Sequence, residues 1–139
     1  MVDSQGVFTP AELSYLRSQP LGRLGTLLPG GAPQLSPVGF FVDEATGVID
    51  VRGHSLGASR KFRNVEADPR VSFVVDDVPD PRDWKPRGVE IRGRAEALRD
   101  AAGGPAWASP EVIRIRAERI ISWGIETDSY GASRRDVQR

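Results

Sequence analysis

Six short runs in which apolar and polar residues alternate, each bounded by glycine, proline or aspartate, recur along the 139-residue chain. Such a pattern leaves room for little but antiparallel β-structure. The runs are Gly22–Leu28, Gln34–Val42, Val48–Arg52, Val71–Asp76, Gly88–Leu98 and Glu111–Ile125. Pro29-Gly30-Gly31 supplies a hairpin turn and the stretch from Asp43 to Gly47 a second, so the first three strands are expected to form an antiparallel meander. Val71–Asp76 is apolar enough for a central position. A doubly wound parallel sheet is not expected, because the regular strand–helix alternation it requires is absent.

Two segments break the strand rhythm. Thr9-Pro10 followed by Glu12 reads as an N-cap, a proline at the first helical position and an acid in the first turn, so a short amphipathic helix runs to Ser18 with Leu13 and Leu16 on one face. Ala58 to Glu66 reads as a second helix, with Phe62 and Val65 on its apolar face and Asp68-Pro69 stopping it. The fold class expected is therefore mainly β: an antiparallel barrel plugged or flanked by short helices. Asp77–Pro86, which carries Trp84, and Asp100–Pro110 read as loops. A single domain is expected over residues 1–127, and residues 128–139 read as a polar, frayed tail.

Composition narrows the chemistry. Hydrophobic residues at 39% and charged residues at 27% describe a globular domain. Nineteen basic against nineteen acidic residues give a net charge of zero, which disfavours a general nucleic-acid binder. With no cysteine and a single histidine, His54, the chain lacks the makings of disulfides, thiolate nucleophiles, zinc–sulfur centres and histidine-based triads, and no metal site is expected. There is no leader-like start and no apolar run of about 18 residues, so a cytoplasmic protein without membrane contact is expected.

The most informative stretch is Ser59-Arg60-Lys61-Phe62-Arg63-Asn64, at the start of the second helix and just after a Gly-containing bend. Open backbone N–H groups, the helix dipole, a hydroxyl and two cations suit an anion such as phosphate. Three basic residues solvating an outer helix face read equally well. Only Lys61 and Lys85 are lysines, so Lys61 stands out in an arginine-rich chain. For His54 both an acid–base role and a hydrogen-bonded groove residue stand open. Trp84 reads as a pocket cap or as plain packing, and Trp123 as part of the barrel core or a subunit seam. Glu90, Arg92, Arg94 and Glu96 alternate as a charged strand face with cross-strand ion pairs. Asp76, Asp77 and Asp80 read as turn-forming aspartates before a cation site.

From Leu56 through Ser59-Arg60-Lys61 to Asn64, then Asp68-Pro69-Arg70-Val71-Ser72, the chain resembles the flavin-phosphate segment of the pyridoxamine 5′-phosphate oxidase-like family of split β-barrels. Gly25-Thr26, Pro33-Gln34-Leu35-Ser36-Pro37-Val38, Phe40-Phe41 and the strand Ile120–Ile125 resemble its deazaflavin-dependent branch. The resemblance runs in order from about Phe8 to Ile125.

That resemblance implies a dimeric, FMN-binding-like split barrel, with the cofactor in a groove between two copies. It implies that Ser59, Arg60 and Lys61 grip the cofactor phosphate with help from Asn64. Gln34, Ser36, Pro37 and Val38 would then lie beside the ring, and Arg52, Gly53 and His54 would border the groove. Gln34 and Ser36 also read simply as part of a hairpin strand. The activity implied is hydride transfer between coenzyme F-420, an 8-hydroxy-5-deazaflavin, and a small unsaturated or conjugated molecule. An FMN-dependent oxidase or reductase and a non-catalytic flavin carrier are the alternatives. No protein nucleophile is needed when the cofactor carries the redox chemistry, which suits a chain poor in cysteine and histidine. No residue is singled out as catalytic.

Overall fold

The computed structural model describes residues 6–126 and 132–137. The first helix, α1 (Pro10–Ser18), begins as its sequence predicts: Thr9 Oγ1 accepts from the Glu12 amide at 3.1 Å, and Glu12 Oε1 accepts from the Thr9 amide at 3.0 Å. This reciprocal cap satisfies two of the donors that a helix start leaves open. Tyr15 and Leu16 are buried, Leu13 packs partly against the core, and the helix ends before Pro20.

Eight strands follow: β1 (Gly22–Leu27), β2 (Pro33–Val38), β3 (Phe40–Val42), β4 (Ile49–Val51), β5 (Arg70–Asp77), β6 (Arg87–Leu98), β7 (Val112–Trp123) and β8 (Ala132–Asp136). The second helix, α2 (Arg60–Ala67), lies between β4 and β5, preceded by a 3-10 turn at Leu56–Ala58. It starts two residues later than expected because Ser59 is extended and serves as its N-cap.

The sheet runs in the order β2-β1-β5-β6-β7-β4-β3, with all pairs antiparallel and β8 added alongside β7. The expected three-strand meander is not what forms. The run from Gln34 to Val42 breaks at Gly39 into β2 and β3, which pair with β1 and β4 at opposite edges of the sheet. Because a single residue joins the two edges, the sheet curls until they meet at that corner, giving a half-barrel. Val71–Asp76 lies centrally, inside β5 between β1 and β6, as its apolar character predicts.

The longest strands, β6 and β7, pair over most of their length, with a shift of register between Arg92 and Gly93. At Gly93 a Cβ would collide with the Arg116 carbonyl, so glycine is what allows this close approach. The core holds alternate side chains of the strands, among them Leu24, Val51, Phe73, Val75, Ile91, Ile115 and Ile120. Phe62 and Val65 of α2 close it on one side, and Arg99 lies over the Phe62 ring at 5.0 Å. On the outer face Arg94 pairs with Glu118 and Arg116 with Glu96, whereas Glu90 and Arg92 pair along the same strand.

A second correction concerns the tail. Residues 132–136 are not frayed but form β8, in register with Arg119–Trp123 of β7. Its polar sequence hides the strand because four of its five side chains are arginine, serine or aspartate; backbone pairing, not burial, places it at the edge. The expectations at residues 128–131 and 138–139 lie outside the described residues. Asp76 and Asp77 end β5 and pair with Arg23 and Arg87, while Asp80 binds the Arg82 amide in a loop turn. Among the described residues no group of acidic or histidine side chains is arranged to hold a metal, and no helix is long and apolar enough to cross a membrane.

Candidate functional site

The corner at Gly39 and the bend after β4 face the start of α2 across a groove of about 240 Å³. Pro37, Val38 and Gly39 form one wall, and Arg52, Gly53, His54 and Ser55 follow from the end of β4. Leu56, Ser59 and Lys61 complete the lining. Seven of the eleven residues expected at a cofactor site, Pro37, Val38, Arg52, Gly53, His54, Ser59 and Lys61, thus meet at one place.

Ser59 organises the helix start. Its hydroxyl donates to the Leu56 carbonyl at 2.6 Å and accepts from the Phe62 amide at 3.3 Å. The Arg63 amide makes the first intrahelical bond back to the Ser59 carbonyl, so the amides of Arg60 and Lys61 belong to the donors that helix geometry leaves open. Lys61 is half-buried in the lining; Arg60 and Arg63 are exposed beside it.

Charge pairing marks the same spot. Most arginines of the described residues hold a carboxylate, for example Arg70 with Asp68, Arg87 with Asp77, Arg114 with Asp50 and Arg135 with Glu12. Arg52, Arg60, Lys61 and Arg63 have no carboxylate partner among the described residues, a property shared only with Arg134 on β8. Four cations left uncompensated within twelve positions create a local positive field in a chain whose net charge is zero.

Arg52 is instead held by backbone. Nη1 donates to the Ala101 carbonyl at 3.3 Å and Nη2 to that of Ala102 at 3.1 Å, and Gly104 lies so close that a Cβ there would strike the guanidinium. Ser109 adds further ties: its amide and hydroxyl donate to the Gly53 carbonyl at 2.9 and 3.0 Å, and its hydroxyl accepts from the Leu56 amide at 3.1 Å. The loop between β6 and β7 is thereby pinned to the groove wall. It carries Trp107, whose ring sits 5.2 Å from that of His54 at 52°. Trp107 and Ser109 were not foreseen at the site. The one local mark of the close approach is Gly104, where a side chain would strike Arg52.

Gln34, Ser36, Arg60 and Asn64 do not line the groove. Asn64 points inward and is 1% exposed; its Nδ2 donates to Thr26 Oγ1 at 3.0 Å and to Gln34 Oε1 at 2.8 Å. Its Oδ1 is buried with no hydrogen-bond partner. This amide ties α2 to β1 and β2 behind the groove, and it holds Gln34 in place from the interior.

A second, shallow depression of about 250 Å³ runs over Gly25, Leu27, Leu35 and Val71, where Leu35 is 74% exposed. Trp84 is likewise exposed at the surface of its loop. Trp123 is half-buried against Gly88, where a Cβ would meet its ring.

Comparison with known proteins agrees with this architecture. The family model described as pyridoxamine 5′-phosphate oxidase matches residues 8–135. A protein of Streptomyces rimosus named 5a,11a-dehydrotetracycline/5a,11a-dehydrooxytetracycline reductase is 46% identical over 134 residues, covering 94% of this chain and 93% of that one. Among solved structures, a conserved hypothetical protein of Mycobacterium tuberculosis superposes with a TM-score of 0.65 at 26% identity, covering 86% of this chain and 87% of that one. A structure described as an F420 reductase superposes with a TM-score of 0.56 at 26% identity, covering 77% and 94%. A likeness along nearly the whole length, on a half-barrel of the same kind, leaves one assignment: the chain belongs to the pyridoxamine 5′-phosphate oxidase family and is an oxidoreductase of that class.

Proposed function

We propose that this protein is a reductase that uses coenzyme F-420 and acts on a fused-ring, conjugated substrate of the 5a,11a-dehydrotetracycline type. The observation that carries the reading is that Arg52 and Lys61 line a groove that opens at a helix start, with Arg60 and Arg63 on the same helix, and that none of the four has a carboxylate partner among the described residues. Such a site fits the phosphate of a flavin-type cofactor. The deazaflavin is preferred to FMN because the likeness to an F420 reductase adds to the sequence resemblance. The substrate class is inferred from the 46% identical relative.

In this reading Lys61 and Arg60 bind phosphate by charge, and the open amides of the first helical turn add directed donors. Pro37, Val38 and Gly39 offer a wall against which the ring can lie. When bound between Lys61, the helix-start amides and the Pro37–Gly39 wall, the reduced cofactor would supply the hydride for reduction of a conjugated C=C bond. The chain's share of the work is binding, orientation and exclusion of solvent. The exposed Leu35 face supports a second copy of the chain as partner in a homodimer.

The deciding measurement is a pair of affinities for the purified protein, one for F-420 and one for FMN. Tighter binding of F-420, with oxidation of its reduced form on adding 5a,11a-dehydrotetracycline, is expected. An FMN affinity at least tenfold higher overturns the cofactor assignment. Tight F-420 binding without turnover of a broad enone panel makes the protein a carrier.

A further inference from the structure

Trp107 is a large aromatic residue on a loop tied down at several points, yet it remains 51% exposed. Burial of such a ring normally contributes much of its stabilising value. Here the ring meets His54, which itself lines the groove, and about half of the residue stays open to solvent. The hydrogen bonds from Arg52 and Ser109 anchor the loop at residues 101, 102 and 109 to Gly53 and Leu56, so the residues that shape the groove also hold the loop that carries the indole. A ring that already rests on a neighbour and sits on an anchored loop loses less conformational freedom when a planar ligand stacks on it.

We infer that Trp107, backed by His54, is a stacking platform for the fused rings of the substrate and so a specificity-determining residue. The inference rests on the reductase reading given above. The phosphate grip at Ser59–Lys61 and the Pro37–Gly39 wall belong to the cofactor on that reading, and Trp107 lies outside the groove lining that they share. A flat, conjugated ring system gains from stacking on an indole, whereas a small aliphatic enone does not.

The test uses Trp107→Ala and Trp107→Phe in the full chain, with tetracycline as the binding probe in equilibrium dialysis against cofactor-free and F-420-loaded protein. Trp107→Ala is expected to weaken tetracycline binding about tenfold, the size of a lost aromatic contact. Trp107→Phe should restore binding to within about twofold, and F-420 affinity should not change. With 5a,11a-dehydrotetracycline as substrate, KM rises in the alanine variant while kcat stays within about threefold. Equal tetracycline binding by wild type and Trp107→Ala overturns the inference, as does an absence of tetracycline binding by the wild type. A parallel loss of F-420 affinity, or a changed sedimentation coefficient, also overturns it by assigning Trp107 to the cofactor or to a contact between copies. Failure of the wild type to bind F-420 counts against the reductase reading alone, because dialysis with cofactor-free protein still reads the platform.

Discussion

Arg135 of β8 closes a two-pronged grip on Glu12 of α1: Nη1 donates to Oε2 at 2.9 Å and Nη2 to Oε1 at 2.6 Å, and Nη2 also donates to the Val7 carbonyl at 2.8 Å. Glu12 is 2% exposed. Burial alone pushes its carboxyl up, but the Arg135 hydrogen bonds and charge, with the Thr9 amide and Ser122, outweigh it and hold the group below its ordinary value of 4.5. A carboxyl lowered on folding adds stability that is fully present above its unfolded pKa and is lost as pH falls through the folded one. The urea midpoint of the wild type is therefore expected to drop as pH is lowered from about 5 to about 3. Glu12→Gln should flatten part of that slope and lower stability at neutral pH by about 2–4 kcal/mol, somewhat less than for a fully buried pair because Arg135 is partly exposed. Wild-type stability in this variant at pH 7 would show that the grip adds nothing.

Lys61→Ala is expected to weaken cofactor binding by about 1.5–3 kcal/mol, the range for losing a hydrogen bond to a charged group. Its melting temperature should stay close to that of the wild type, since Lys61 holds no carboxylate among the described residues. Isothermal titration with F-420 measures the loss, and an unchanged affinity removes Lys61 from the phosphate grip.

Asn64→Ala should behave in the opposite way. It leaves Thr26, 2% exposed, without its amide donor, frees Gln34 and opens a small cavity behind the groove. A stability loss of about 2–3 kcal/mol is expected in urea unfolding. Cofactor affinity should fall less than in Lys61→Ala. A large affinity loss at full stability would instead place Asn64 in contact with the ligand.

Arg52→Ala removes both guanidinium ties to the β6–β7 loop at once. Local opening there is expected to become easier by about 1–3 kcal/mol, read as faster amide exchange around residues 100–109 with little change in global melting. Unaltered exchange in that loop would mean that Ser109 alone holds it.

Features encoded by neighbouring residues were legible in the sequence. Thr9, Pro10 and Glu12 announce α1 because capping is settled within four positions. The segment 52–61 is also contiguous, so its arrival at one groove followed from its order. Pairing over long distance was not legible. Nothing in the Gln34–Val42 run says that its two halves belong to opposite sheet edges, since that depends on β5 inserting next to β1 and β7 next to β4. β8 was hidden for a related reason: its grip on Glu12 spans 123 positions. The pinned loop escaped notice because Arg52 binds backbone carbonyls, which carry no residue identity. Asn64 shares a motif with Ser59 and Lys61 but faces the core, because its amide finds partners on β1 and β2.

The join at Gly39 also has a kinetic meaning. Hairpins β1–β2 and β6–β7 can form from nearby segments, but the two sheet edges that meet at residue 39 come together only after β5, β6 and β7 are in register between them. Closure of long loops delays such contacts. The local β3–β4 hairpin, in which Phe40 pairs with Val51, sets Gly39 beside Arg52 early, whereas Lys61 joins them only once α2 packs on β1 and β6 of the completed curl. Partly folded chains should lack the complete groove, and a ligand that bridges Arg52 and Lys61 would slow unfolding without speeding folding.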